Sequence, residues 1–162
     1  MAGPIQNILV YVDGSEESVT AAEYAVCLAK KTGAKLSAVY VVNTRALNDL
    51  VKSRIFIASE EQEYQEDLEN DAQKYLDHVK ELSHKKGQAV ELYQKNGAIH
   101  SEIKHLVEDL DADLLIIGEL SKIQSRRDEF YNEVERAMRS VSCSVLIAKD
   151  EDLIWSQYES LV

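Results

Sequence analysis

The chain of 162 residues has one proline, two cysteines, six glycines and a single tryptophan. So little proline and glycine excludes a collagen-like or low-complexity chain. The cysteines, Cys27 and Cys143, stand far apart without Cys-x-x-Cys spacing. They form no disulfide framework and no zinc motif, and read as reduced core thiols of a cytoplasmic protein. No apolar run approaches the roughly 18 residues of a transmembrane helix. Residues 1–6 lack the basic segment of a signal peptide, and Asp13 follows too soon for one. Basic residues are scarce as well: 18 Lys and Arg against 29 Asp and Glu leave a net charge of −11. Such a chain repels phosphate backbones and anionic lipid, so neither nucleic acid nor membrane is an expected partner. Its one concentrated basic spot is Lys122, Arg126 and Arg127.

What is present fits one folded domain. Hydrophobic residues make up 45% and charged residues 29%, the balance of a soluble globular protein. Ile8-Leu9-Val10-Tyr11-Val12 is a short continuous apolar run, as expected of a strand buried on both faces of a parallel sheet. It stops at Asp13-Gly14-Ser15. Ser15 then suits a helix N-cap, Glu16 and Glu17 suit the first turn, and Gly33 suits the C-terminal stop. Further strands are predicted at Lys35–Val42, Ala89–Tyr93, Asp113–Ile117 and Ser144–Ala148. A long helix is predicted from about Glu60 to Lys86, with an acidic first half that reads as a solvated face. Others are predicted from His100 or Ser101 to Asp109 and from Glu129 to about Val141. The stretch from Asn43 to about Ser59 gives no clear pattern. The tail from Lys149 to Val162 carries Leu153, Ile154 and Trp155, too apolar to hang free, and should pack on the domain or across a dimer.

Strands alternating with helices imply right-handed crossovers and an α/β fold with a parallel sheet. Ligands of such folds lie beyond the carboxyl ends of the strands, at the point where strand order reverses. That directs attention to 11–15, 41–44 and the residues from Gly118 onward.

Three segments together resemble the universal stress protein family. They are Asn7–Ser15 with its Asp-Gly-Ser turn, the run from Asn96-Gly97 to Asp113–Gly118, and Glu135, Arg139, Cys143 and Val145-Leu146-Ile147. The likeness covers residues 5–149, with 150–162 as an extension. It implies a five-stranded parallel sheet of order 3-2-1-4-5 with helices on both faces, and a homodimer joined through the fifth strand. One branch of the family binds ATP through Gly-x2-Gly-x9-Gly-Ser/Thr after the fourth strand. In such a frame, glycines let the backbone approach phosphate oxygens. Here Gly118 matches the first glycine, but Ser121 stands at the second, Tyr131 at the third and Asn132 at the Ser/Thr position. Glu119 and Glu133 add negative charge, while Lys122, Arg126 and Arg127 could compensate. The resemblance also places Val12 and Asp13 beside an adenine and ribose, and Val41 near the adenine. From the residues alone, Asp13 reads equally as a turn residue capping the first helix, and Val41 as sheet core.

No nucleophile elbow, Walker-type loop or HExxH motif is present. His78, His84, His100 and His105 lack the spacing that would pair them on one helix face, and read as solvated or partly packed. Two readings follow. The first is a cytoplasmic, homodimeric binding or regulatory protein of the non-ATP kind, with no cofactor, no metal, no turnover and an unidentified protein partner. The second is a switch protein that binds ATP or another adenine nucleotide through a rearranged loop. Slow ATP hydrolysis would need a base that no motif supplies.

Overall fold

The computed structural model describes residues 3–44, 58–120 and 129–162, with side chains described from residue 62 in the second segment and from 133 in the third. The elements in chain order are β1 (Asn7–Tyr11), α1 (Glu16–Thr32), β2 (Lys35–Val42), α2 (Ala58–His84), β3 (Glu91–Asn96), α3 (Ile99–Asp109), β4 (Leu114–Gly118), α4 (Glu129–Ser140), β5 (Ser144–Ala148) and α5 (Glu151–Glu159). The strands pair in the order β3-β2-β1-β4-β5 and every pairing is parallel. This is the sheet expected from the sequence. Ile8 sits level with Leu36 on one side and Leu114 on the other.

Strand alternation divides the apolar side chains between two cores. Ile8, Val10 and Val12 face α1, α2 and α5, where Ala22, Val26, Leu76 and Ile154 meet them. Leu9 and Tyr11 face α3 and α4, against Ile103, Val107, Val134 and Ala137. Central strands buried on both faces need apolar residues at every position. β1 and β4 satisfy that need.

The third strand starts two residues later than the sequence predicts and runs to Asn96. Gly87, at φ 72°, and two hydrogen bonds between Ser83 and Gln88 still belong to the turn that ends α2. β3 pairs on one side only, so its polar residues carry no apolar-run signal. The second helix also begins and ends two residues earlier than predicted, at Ala58 and His84. Residues 45–57, within the stretch that gave no clear pattern, lie outside the described residues.

The C-terminal segment forms α5 on the outer side of α1. Asp150, at φ 63°, caps it by accepting the Leu153 amide at 3.2 Å. Ile154 and Tyr158, one turn apart, are buried. The Tyr158 hydroxyl donates to the Leu82 carbonyl at 2.6 Å. Lys86 Nζ donates to the carbonyls of Glu159 and Leu161 and lies 5.0 Å above the Tyr158 ring. Of Leu153, Ile154 and Trp155, all expected from the sequence to pack on the domain or across a dimer, Ile154 is buried within the chain and Trp155 stacks on Tyr158. Leu153 and Trp155 are 53% and 44% exposed, because adjacent helical residues point about 100° apart.

Removing α5 by truncation after Asp150 should lower the free energy of unfolding by about 3 kcal/mol or more, through lost burial of Ile154 and Tyr158. Urea denaturation of the truncated chain checks this. An unchanged midpoint would mean that α5 adds nothing to the stability of the domain.

Candidate functional site

The sheet order reverses between β1 and β4, from which the chain continues to opposite sides of the sheet, to β2 and to β5. Among the described residues the resulting crevice has a volume of about 30 Å³, and Tyr11, Asp13, Ser15, Glu17, Gly118 and Glu119 contribute to its walls. A space of that volume admits ordered water. Three of those six residues, Asp13, Glu17 and Glu119, are acidic.

The wall formed by the β1–α1 turn is held by its own polar groups. Asp13 Oδ1 accepts the Ser15 amide at 3.0 Å and the Ser15 hydroxyl at 2.6 Å. Ser15 Oγ in turn accepts the Ser18 amide at 3.1 Å, the N-cap bond of α1. Asp13 is therefore a turn residue here, with its carboxylate exposed and one oxygen already engaged. Gly14 adopts φ 84°, and a Cβ there would lie 2.6 Å from the Tyr75 ring. That ring stacks on Tyr40, with centroids 6.1 Å apart. α2 thus closes over the turn. Burial, followed by the charges of Asp13 and Asp71, pushes the Tyr40 hydroxyl up to about 12. Burial, then Asp13, does the same in direction for Tyr11.

Gly118 serves a purpose that the sequence does not reveal. A Cβ at this position would fall 2.3 Å from the Glu17 carbonyl oxygen and 2.5 Å from its carbon. The first turn of α1 rests directly on the end of β4, and only a hydrogen fits between them. Val12 and Val41 are 2% and 5% exposed, belong to opposite cores and do not line the crevice. Ser121, Lys122, Arg126 and Arg127 lie outside the described residues. Tyr131 and Asn132 fall in the first turn of α4, and their side chains also lie outside the described residues.

Glu133 is turned away from the crevice toward α3. Its Oε2 lies 2.5 Å from His100 Nδ1 and accepts the His100 amide at 3.2 Å. Arg136 Nη1 donates to Oε1 at 3.4 Å. Ser101 Oγ lies 3.3 Å from His100 Nε2, so both ring nitrogens are engaged. Burial alone would raise the Glu133 pKa, but the hydrogen bonds from the His100 ring and amide outweigh it and hold the carboxyl below its ordinary value. Ala98 at the N-cap of α3 offers no side-chain oxygen, and Glu133 supplies one from the neighbouring helix. The sequence hides this pair because 33 residues separate its members. The one available clue is a helix whose N-cap position holds alanine. No group of three or more metal-ligating side chains occurs among the described residues.

Comparison with known proteins agrees with this architecture. The family model described as the universal stress protein family matches residues 4–149. Universal stress protein MJ0531 of Methanocaldococcus jannaschii is 27% identical over 144 residues, covering 89% of this chain and 82% of its own. A universal stress protein of Staphylococcus aureus is 30% identical over 150 residues, covering 91% of this chain and 86% of its own. Among solved structures, a universal stress protein family member from Burkholderia pseudomallei superposes with TM-score 0.70 at 20% identity, covering 91% of this chain and 98% of its own. One from Archaeoglobus fulgidus in complex with dAMP superposes with TM-score 0.60 at 14% identity, covering 91% of this chain and all of its own.

Two substitutions test this geometry. Gly118→Ala should destabilise the protein by about 3 kcal/mol, because backbone must move to admit the methyl group. A melting temperature within a degree of wild type would contradict the close approach of α1 to β4. Glu133→Ala should cost about 1–2 kcal/mol at neutral pH, through the lost cap and the unpaired His100. A lowered carboxyl pKa stabilises above the ordinary carboxylate range and ceases to do so as acid protonates the group. The difference between wild type and variant in urea should therefore close at acid pH.

Proposed function

Because this chain belongs to the universal stress protein family, we propose that it is a regulatory binding protein of the cytoplasm that does not hold ATP in the manner of the family's nucleotide-binding branch. The observation that carries this reading is the small crevice at the switch point, with three acidic residues among its described lining. A triphosphate brings several negative charges, and Glu17 and Glu119 would meet them without a cation among the described lining residues. The α-hydrogen of Gly118 is taken up by contact with Glu17, and Asp13 is committed to Ser15. No cofactor and no turnover belong to this reading, and its output is contact with another protein.

A homodimer through β5 is part of the same proposal. β5 is an open sheet edge, with Val145 half-buried and Ile147 38% exposed. An apolar open edge needs a partner or a cover. Ile147→Lys should shift the protein from dimer to monomer in sedimentation, with the fold retained. A wild-type chain that sediments as a monomer would remove this part of the proposal.

The second reading, an adenine-nucleotide switch, draws support from the relative crystallised with dAMP. Calorimetric titration with ATP, together with the nucleotide content of the purified protein, separates the two. The first reading expects no heat and no released nucleotide. Saturable micromolar binding would replace it with the second.

A further inference from the structure

We propose that α5 is a proton-dependent latch: its seat on α1 lies beside the side chain of Glu23, and seating is tightest when the Glu23 carboxyl is protonated. Glu23 is only 7% exposed. Its side chain makes no hydrogen bond or ion pair among the described residues. An ionised carboxylate in that position is desolvated without compensation. α5 worsens the mismatch, because Glu151 in its first turn adds a like charge facing Glu23.

The other titratable groups do not relieve it. Tyr158 of α5 and Cys27 of α1 are neutral neighbours whose own pKa values are raised, by burial first and then by Glu23. Lys86 is the nearby cation, and it is engaged with the carbonyls of Glu159 and Leu161 and the face of Tyr158. Glu81 of α2 faces Tyr158. Lys31 of α1 lies toward Cys27, two turns along the helix from Glu23.

The pH window follows from linkage. Burial, then Glu151, raises the Glu23 pKa from its ordinary 4.5 to about 7 while α5 is seated. When α5 lifts, the carboxyl regains water and its ordinary range. Below that range both states are protonated and the latch is at its tightest. Between the two values seating takes up one proton and weakens about tenfold per pH unit. Above the raised value it is loosest. The helix is suited to move: it has nine residues, is anchored by two buried side chains, and begins after the family match ends at residue 149. Short elements with few buried anchors open at lower cost than the core. Lifting α5 would expose Ile154 and Tyr158.

Amide hydrogen exchange tests the latch on the full chain. Protection of α5 is measured relative to the centre of α1 at pH 5.5 and 7.5, corrected for the intrinsic exchange rate. Wild type should lose between tenfold and thirtyfold of α5 protection over that range. Glu23→Gln, which keeps the shape without the charge, should show no such loss and stay protected at pH 7.5. Glu151→Gln should retain a smaller loss. Fluorescence of Trp155, the only tryptophan and stacked on Tyr158 at 5.5 Å, should follow the same pattern. Equal wild-type protection at both pH values would overturn the proposal. So would an unchanged pH dependence in Glu23→Gln.

Discussion

The fold depends on the contact between the first turn of α1 and the end of β4. A parallel sheet must send its chain back across a face after every strand, and the first crossover leaves from β1 at the centre. The helix that starts there has to clear the neighbouring strand. At Gly118 the clearance is a hydrogen atom against the Glu17 carbonyl. This seat sets the height of α1 over the sheet, and through α1 the positions of α2 and α5, which pack on the same face. The Asp13-Ser15-Ser18 hydrogen bonds fix the same turn from the other side.

That seat also narrows the crevice where ligands of such sheets are held. Among the described residues the space that remains is about 30 Å³, with Asp13, Glu17 and Glu119 in its lining. Tyr75 covers the turn from α2. On the opposite face Glu133 joins α4 to α3 through His100, and its charge adds to that of Asp13 at Tyr11 in the crevice wall. In the candidate site Asp13, Ser15 and Gly118 therefore already have structural partners.

Much of this was legible in the sequence, and what was not has a physical cause. β1 and β4 announce themselves because burial on both faces demands unbroken apolar runs, and Ser15 and Gly33 mark α1 because its ends need them. The expected β3 starts two residues early and ends three early because an edge strand may be polar and a turn may contain valine. The site was harder. Gly118 matches a glycine that elsewhere faces phosphate, yet its neighbour is a carbonyl more than a hundred residues away in sequence, and no local pattern records that distance. His100 and Glu133 escaped for the same reason. Of the altered glycine frame, Ser121 lies outside the described residues, as do the side chains of Tyr131 and Asn132.

The two margins of the sheet are chemically unlike. The β3 margin carries Glu91, Gln94 and Lys95, and the β5 margin carries Val145 and Ile147. Charged side chains on an exposed strand discourage another strand from adding to it. Lateral growth by strand addition therefore has one permissive terminus and one guarded terminus. Copies that meet through β5 form a closed pair, and the β3 ends they present outward resist propagation into a ribbon or fibre.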